Sequence, residues 1–67
     1  MKQKSKYGIV FFWSNTIEVV VDAKNVDEAE KKAFDKFKDI VKNDKHFDEW
    51  EAINCYNYDK GDFEWVK

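Results

Sequence analysis

The fold is decided by the stretch KYGIVFFW-SN-TIEVVVDA, residues 6–23, in which two apolar segments meet at a short polar break. Both segments are rich in aromatic and β-branched residues, which favour extended strands. Ser14 and Asn15, which form the break, are residues typical of tight turns. The stretch therefore predicts a β-hairpin with a two-residue loop.

A two-residue loop fixes which side chains share a face of this hairpin, because side chains alternate along a strand. It sets Trp13 opposite Thr16 and Phe12 opposite Ile17. The face expected to meet the core carries Val10, Phe12, Ile17, Val19 and Val21. The other face carries Tyr7, Ile9, Phe11, Trp13 and Val20, so the sequence predicts a sheet that is apolar on both faces.

A second hairpin is predicted from WEAINCYNY at 50–58, a turn DKGD at 59–62 and FEWV at 63–66. Gly61 supplies the positive φ angle that a tight turn needs. With residues 60 and 61 at the centre of the turn, Tyr58 lies opposite Phe63 and Tyr56 opposite Trp65. We then expect the core side to carry Ile53, Cys55 and Val66, and the outer side to carry Tyr56, Tyr58, Phe63 and Trp65.

The segment between the hairpins predicts one amphipathic helix over residues 26–42. Asn25 caps its start, and Glu28, three residues further on, completes a capping box. Apolar residues recur at helical spacing, and the helix is expected to pack through Ala33, Phe34, Phe37, Ile40 and Val41.

The order of these elements, ββαββ, predicts an α+β fold of two layers. We expect a four-stranded, mainly antiparallel sheet with one amphipathic helix on one face. Residues 1–67 are expected to form a single domain, with residues 1–5 as a flexible N-terminal tail.

The order of elements resembles the β-grasp layout of bacterial immunoglobulin-binding modules, including a turn of the Asp-Lys-Gly type at 59–61. That resemblance implies a fold and carries no binding residues across. The length, the helix entry NVDEAE at 25–30 and the composition are also similar to those of small phage-encoded proteins that inhibit host or defence machinery, anti-CRISPR proteins among them. This second resemblance implies a non-enzymatic inhibitor that occupies the surface of a host protein.

Composition and charge narrow the class of protein. The sequence has 67 residues, a formal net charge of −2 and twelve Lys without any Arg. The absence of Arg disfavours nucleic-acid recognition, which uses bidentate guanidinium contacts. The longest apolar run, residues 9–13, is too short to cross a membrane, and a lone Cys suits a reducing compartment. We therefore expect a cytoplasmic protein with no membrane segment, located in the host-cell cytoplasm if it is phage-encoded.

No set of residues in the sequence indicates catalysis or a cofactor. His46 and Cys55 are the only residues of their kind, and a Cys–His nucleophilic pair needs contact and a third, orienting group. Cys55 is expected on the core side of a strand and His46 in a loop. One His, one Cys and scattered carboxylates also lack the spacing of a metal site. The sequence predicts a protein that is not an enzyme and that holds no metal and no cofactor.

The outward aromatic side chains predict a binding surface, because one helix covers only one face of a sheet. The predicted partner-binding residues are Tyr7, Phe11, Trp13, Tyr56, Tyr58, Phe63 and Trp65. A secondary acidic surface is expected to steer the protein toward a basic partner, and it consists of Asp35, Asp39, Asp48 and Glu49. The favoured partner is a protein, either a host or defence protein or a second copy of the chain.

Two alternatives stay open. An aromatic sheet face is also a platform on which single-stranded nucleic acid stacks. Acidic residues near the rings, among them Glu18, Asp22 and Asp62, leave no positive groove around such a platform, so nucleic acid is disfavoured. In the other alternative the strands coil tightly, or the loop at 47–50 folds over the rings, and the aromatic face forms a second small core.

Overall fold

The computed structural model describes residues 4–67, apart from the side chain of Phe47. Its elements are β1 (Ser5–Phe12), β2 (Thr16–Ala23), α1 (Val26–Ile40), a short 3-10 helix (Phe47–Glu49), β3 (Glu51–Asn57) and β4 (Asp62–Val66). This is the predicted α+β fold. Part of the predicted tail, residues 1–3, lies outside the described residues, and β1 begins within the rest of it.

The four strands form one sheet in the order β2-β1-β3-β4, and each neighbouring pair is antiparallel. β1 and β3 are central, whereas β2 and β4 are the edges. The helix connects the edge strand β2 to β3 and packs mainly over β2 and, to a lesser extent, over β1. The sheet therefore has one face under the helix and one face without it, which we call the open face.

The predicted register of the first hairpin is wrong by one residue. Phe12 lies opposite Thr16, so the loop has three residues, 13–15, and not two. A shift of one residue turns every side chain of β1 to the other side of the sheet. The side chains buried under the helix are consequently Tyr7, Ile9 and Phe11, and those on the open face include Val10 and Phe12. The observed register is favoured because it buries Tyr, Ile and Phe where the predicted one buries Gly, Val and Phe.

The predicted register of the second hairpin is also wrong. Asn57 pairs with Asp62, so the loop has four residues, 58–61. The side-chain oxygen of Asn57 accepts the backbone N–H groups of Asp59 and Lys60 at 3.0 and 3.1 Å, and its carbonyl accepts the N–H of Gly61, whose φ angle is +73°. This buried asparagine closes a longer turn than the glycine alone indicates.

Two irregularities in the ladders then decide the faces of β3 and β4. Between Cys55 and Tyr56 the register shifts, so that Tyr56 lies opposite Phe63 but Cys55 opposite Trp65. Trp65 is therefore on the helix side, contrary to the prediction, whereas Cys55 is on that side as predicted. Val66 and Ile53 were both expected on the core side. Val66 is instead 60% exposed on the open face, and Ile53 lies in the register shift between β1 and β3.

The N-cap of the helix is confirmed, whereas the reciprocal contact of the capping box is shifted by one residue. The side chain of Asn25 accepts the backbone N–H of Glu28 at 2.8 Å. The carboxylate of Glu28 in turn accepts the N–H of Lys24 at 2.8 Å, one residue before the cap, which lowers the pKa of that carboxyl group. The helix ends at Ile40 and not at residue 42.

The side of the helix that meets the sheet is confirmed for Ala33, Phe37 and Val41 and is wrong for the other two predicted residues. Its buried residues are Ala29, Ala33 and Phe37, followed by Val41 at the C-cap. Phe34 and Ile40, which were expected in the core, are 43% and 58% exposed. Small alanines let the helix approach β2 closely, and this approach leaves the larger side chains at its flank. The core is completed by Tyr7, Ile9, Phe11, Val19, Val21, Ala23 and Cys55.

Candidate functional site

The open face of the sheet is an apolar surface that the helix leaves uncovered. Cross-strand pairing places Gly8 with Val20 and Tyr56, and Tyr56 with Phe63, on this side. The exposed apolar side chains of the face are Phe12 (46%), Val20 (40%), Tyr58 (44%), Phe63 (56%) and Val66 (60%). The prediction of a second apolar face is thus confirmed, but partly with other residues than expected.

Three aromatic rings form a cluster on this face. The ring of Tyr56 meets Tyr58 and Phe63 edge to face, with centroids 5.0 and 4.9 Å apart. Edge-to-face pairs at this spacing are favourable and hold each ring in a defined orientation. The cluster therefore offers a preformed aromatic surface with little side-chain entropy left to lose on binding.

Tyr58 is fixed further by a polar contact across the sheet. Its hydroxyl donates a short hydrogen bond to the carboxylate of Glu18 on β2, and its ring lies over Gly8. The hydrogen bond raises the pKa of the tyrosine. The contact spans β3 to β2 over β1, a path that is open only because residue 8 has no side chain.

The rim of the open face carries both acidic and basic side chains. Glu18 and Asp22 lie on the β2 side, with Lys6 opposite Asp22 on β1. On the other side Lys67 contacts Glu51 at 2.9 Å. These groups surround the aromatic cluster without forming a positive field.

The seven predicted partner-binding residues do not share one surface. Tyr56, Tyr58 and Phe63 lie on the open face as predicted. Tyr7 and Phe11 are 5% and 1% exposed in the core, so their predicted outward position is wrong. Burial raises the pKa of Tyr7. The other two residues, Trp13 and Trp65, also lie away from the open face.

Trp65 packs against the core on the helix side of the sheet. Its indole N–H donates to the carboxylate of Glu30 on α1, at 2.9 Å. The hydrogen bond satisfies the polar end of a ring that is otherwise in apolar surroundings. Trp65 therefore ties the edge strand β4 to the helix.

Trp13 belongs to a second aromatic cluster, at the end of the sheet where the first hairpin turns. It stacks on His46 at 4.5 Å, and its centroid lies 6.3 Å from that of Trp50. Trp50 packs against Phe37 and donates its indole N–H to Asp44 at 3.2 Å. Apart from the side chain of Phe47, which is outside the described part of the chain, the loop before β3 thus folds against the core on the helix side.

Beside this cluster lies a shallow groove of about 230 Å³. Its floor and walls are aromatic, and Lys38 and Asp48 are its only charged lining residues; the rings are Phe11, Phe34, Phe37 and Trp50. The groove offers apolar contact and one charge of each sign.

The four predicted acidic residues are exposed but are spread over two elements. Asp35 and Asp39 lie on α1, and Asp48 and Glu49 lie in the 3-10 helix. Only Asp48 lines the groove. None of the four lies in a strand of the sheet, so the acidic groups beside the open face are others, namely Glu18 and Asp22.

Cys55 is fully buried, and this burial raises the pKa of its thiol to about 11. At neutral pH the group is therefore a protonated thiol and a poor nucleophile. His46 is exposed at the start of the 3-10 helix, stacked on Trp13. Among the described residues, no group of three or more His, Cys, Asp or Glu is placed to hold a metal ion.

Sequence reasoning missed several residues of the open face because it depended on the hairpin registers. Phe12 and Val66, both expected in the core, contribute exposed apolar area, and Glu18 orients Tyr58, whereas Val20 lies on the outer face as expected. One signal was present in the sequence. A lone glycine within an apolar strand often marks a close approach by another group, and here that position is Gly8.

Comparison with family models, with curated proteins and with solved structures gave no match to this chain. The helices in residues 4–67 are too short and too polar to cross a bilayer.

Proposed function

We propose that this chain is a non-enzymatic, cytoplasmic protein-binding module that docks through the open face of its sheet. The observation that carries the proposal is the cluster of Tyr56, Tyr58 and Phe63 on a face that the helix does not cover. The resemblance to small phage-encoded inhibitors supports a more specific form, in which the protein blocks a host or defence protein by occupying its surface.

The exposed apolar area of the open face supports this proposal. A fully buried aromatic side chain removes about 150–250 Å² from water, and five apolar side chains of the open face are 40–60% exposed. Together they present on the order of 400 Å², which is near the largest apolar patch found on ordinary monomers. With its polar rim, such a patch approaches the roughly 800 Å² that each partner contributes to a standard interface.

Stacking of single-stranded nucleic acid is the less favoured use of the same rings. Nucleic-acid platforms sit in positive grooves that follow the phosphate backbone. The open face has Glu18 and Asp22 on one side, and Lys67 on the other side is paired with Glu51. A phosphate chain laid across the rings meets carboxylates at the β2 edge.

The test replaces one exposed phenylalanine on each side of the molecule. Phe63→Ser alters the open face, and Phe34→Ser is the matched control, because Phe34 is 43% exposed at the flank of the helix. Immobilised protein is used to capture partners from a bacterial lysate, and melting temperature is measured in parallel. We expect both variants to fold, and we expect Phe63→Ser alone to lose at least tenfold in capture of the partner that the original protein retains.

Equal capture by Phe63→Ser and the original protein contradicts the proposal. Loss of capture by Phe34→Ser alone also contradicts it and moves the interface to the aromatic groove. Binding of a single-stranded oligonucleotide that Phe63→Ser abolishes, with no protein captured, favours the nucleic-acid alternative instead.

A further inference from the structure

Within residues 4–67, the edge strand β2 has an outer side whose backbone groups have no strand beside them. It is eight residues long, pairs with β1 without interruption and contains no proline. The other edge strand, β4, has five residues and a register shift in its ladder with β3. Proteins commonly protect edges by making them short or irregular, and β2 is neither.

The direction of the backbone groups of β2 follows from the contacts of β1. The carbonyl of Lys6 accepts the N–H of Tyr58, so the backbone of Lys6 points toward β3. Asp22, its partner on β2, must then point its own backbone groups away from β1, because antiparallel pairs alternate between bonded and non-bonded positions. The contact of the Lys32 ammonium with the carbonyl of Asp22, at 2.7 Å, agrees with this direction.

Backbone groups alternate in direction along a strand, so every second residue of β2 points its N–H and C=O groups the same way as Asp22. Val20 and Glu18 lie two and four residues before Asp22, so their backbone N–H and C=O groups also point outward. The Lys32 contact caps the edge only at Asp22, near the end of β2. The middle of the strand is left as a template for another extended segment.

We infer that β2 accepts an extended segment of a partner protein as a fifth strand, with basic residues at a spacing of four. Glu18 and Asp22 share the open-face side of β2 at that spacing, so Lys or Arg side chains on the added strand lie opposite two carboxylates, of which that of Glu18 also accepts the Tyr58 hydroxyl. Main-chain hydrogen bonds supply affinity, and the alternate side chains supply selectivity. This inference deepens the proposed protein-binding function and rests on it.

A second copy of the chain is a poorer occupant of this edge. When two copies of β2 pair antiparallel around Val20, each Glu18 lies opposite an Asp22 of the other copy. Like charges directly opposite each other destabilise a strand pair. A basic segment meets no such repulsion.

The probes for the test are two synthetic peptides that differ only in charge, acetyl-TVKVTVKVT-amide and acetyl-TVEVTVEVT-amide. Each is titrated at low salt into the isotope-labelled protein, and the backbone amide signals are followed by NMR. We expect the lysine peptide to bind at least tenfold more tightly than the glutamate peptide. We also expect it to slow hydrogen exchange of the Val20 and Glu18 amides.

Two variants separate edge pairing from other contacts. Val20→Pro removes an N–H that points outward, which an edge strand tolerates, and Val20→Thr is its matched control with the N–H retained. We expect Val20→Pro to weaken lysine-peptide binding at least tenfold and Val20→Thr to change it less than threefold. If Val20→Pro does not fold, Asp22→Lys decides, because it should bring the affinities of the two peptides within threefold of each other.

Three results overturn the inference: no binding of either peptide up to millimolar concentration, equal affinity for both, or a lysine peptide that binds Val20→Pro as tightly as Val20→Thr. Self-association of the protein that Val20→Pro abolishes also overturns it, in favour of a second copy. Val20 also contributes to the open face, so the two proposals are separated by their readouts: Phe63→Ser, on the opposite edge strand, is read in partner capture, and Val20→Pro against Val20→Thr is read in peptide binding.

Discussion

At the scale of single residues, Gly8 on β1 leaves the space on the open face that Tyr58 and Glu18 occupy. A methyl group at this position would lie 2.7 Å from the ring of Tyr58 and would overlap the carboxylate of Glu18. The two groups that it would displace are the same two that are hydrogen-bonded to each other. The glycine is required here for space and not for an unusual φ angle, because its backbone is part of a regular strand.

We predict that Gly8→Ala lowers the free energy of unfolding by about 1–2 kcal/mol, in the range for overpacking at a site where side chains can still move. In a Tyr58→Ala background the ring is gone, and the same substitution should become neutral or stabilising because alanine restricts the unfolded chain. A double-mutant cycle by urea denaturation measures the difference. A cost that is the same in both backgrounds would show that the ring of Tyr58 does not lie over Gly8.

At the scale of elements, the helix is the part whose contacts were hardest to anticipate. Its cap and its extent follow from local chemistry, since Asn25 and Glu28 act within one turn. Its orientation does not, because two phenylalanines three residues apart compete for the core. Phe37 is the one that occupies the core, and its ring stacks on that of Phe11 with centroids 4.0 Å apart. Phe34 contacts Phe11 only edge to face, with centroids 5.2 Å apart.

We predict that Phe37→Ala costs about 3–5 kcal/mol of stability, the usual range for truncating a buried phenylalanine. Phe34→Ala should cost about 1 kcal/mol, because Phe34 is 43% exposed and its truncation leaves little cavity. Chemical denaturation of both variants gives the comparison on one helix with one residue type. A larger loss for Phe34→Ala than for Phe37→Ala would mean that the helix presents the other side to the sheet.

At the scale of the whole molecule, stability depends on a small core that contains ionisable groups. Domains of this size bury only about 60% of their unfolded surface, so modest changes are a large part of the total. Cys55 and Tyr7 are both buried, and burial raises the pKa of each. The folded state therefore keeps protons that the unfolded chain releases in alkaline solution.

We predict that the free energy of unfolding falls as pH rises from about 9 to about 11. The unfolded thiol of Cys55 loses its proton near its ordinary pKa of 9.0, whereas the folded one keeps it until about 11. Because the folded state binds more protons across that window, its stability falls by at most about 1.4 kcal/mol per pH unit from this group. Denaturant unfolding of the original protein and of Cys55→Ala at pH 8, 9, 10 and 11 isolates the thiol, since the variant should show a shallower decline.

The sequence by itself determined the number and order of the strands and the position of the α-helix among them, but not the short 3-10 helix. Local chemistry suffices for these, because strand and helix periods differ and because caps and turn residues act over a few positions. It also determined that a single helix leaves a second apolar face. The aromatic cluster of Tyr56, Tyr58 and Phe63 was anticipated for this reason, although the predicted pairing of its strands was wrong.

The tertiary structure decided which side of each strand is buried. The three-residue loop of the first hairpin reversed the expected faces of Tyr7 and Phe11, and the register shift beside Cys55 reversed that of Trp65. The first of these features is accompanied by a contact between distant segments, the stacking of Trp13 on His46. Side chains alternate with a period of two, so one residue of shift in a loop exchanges core and surface for a whole strand.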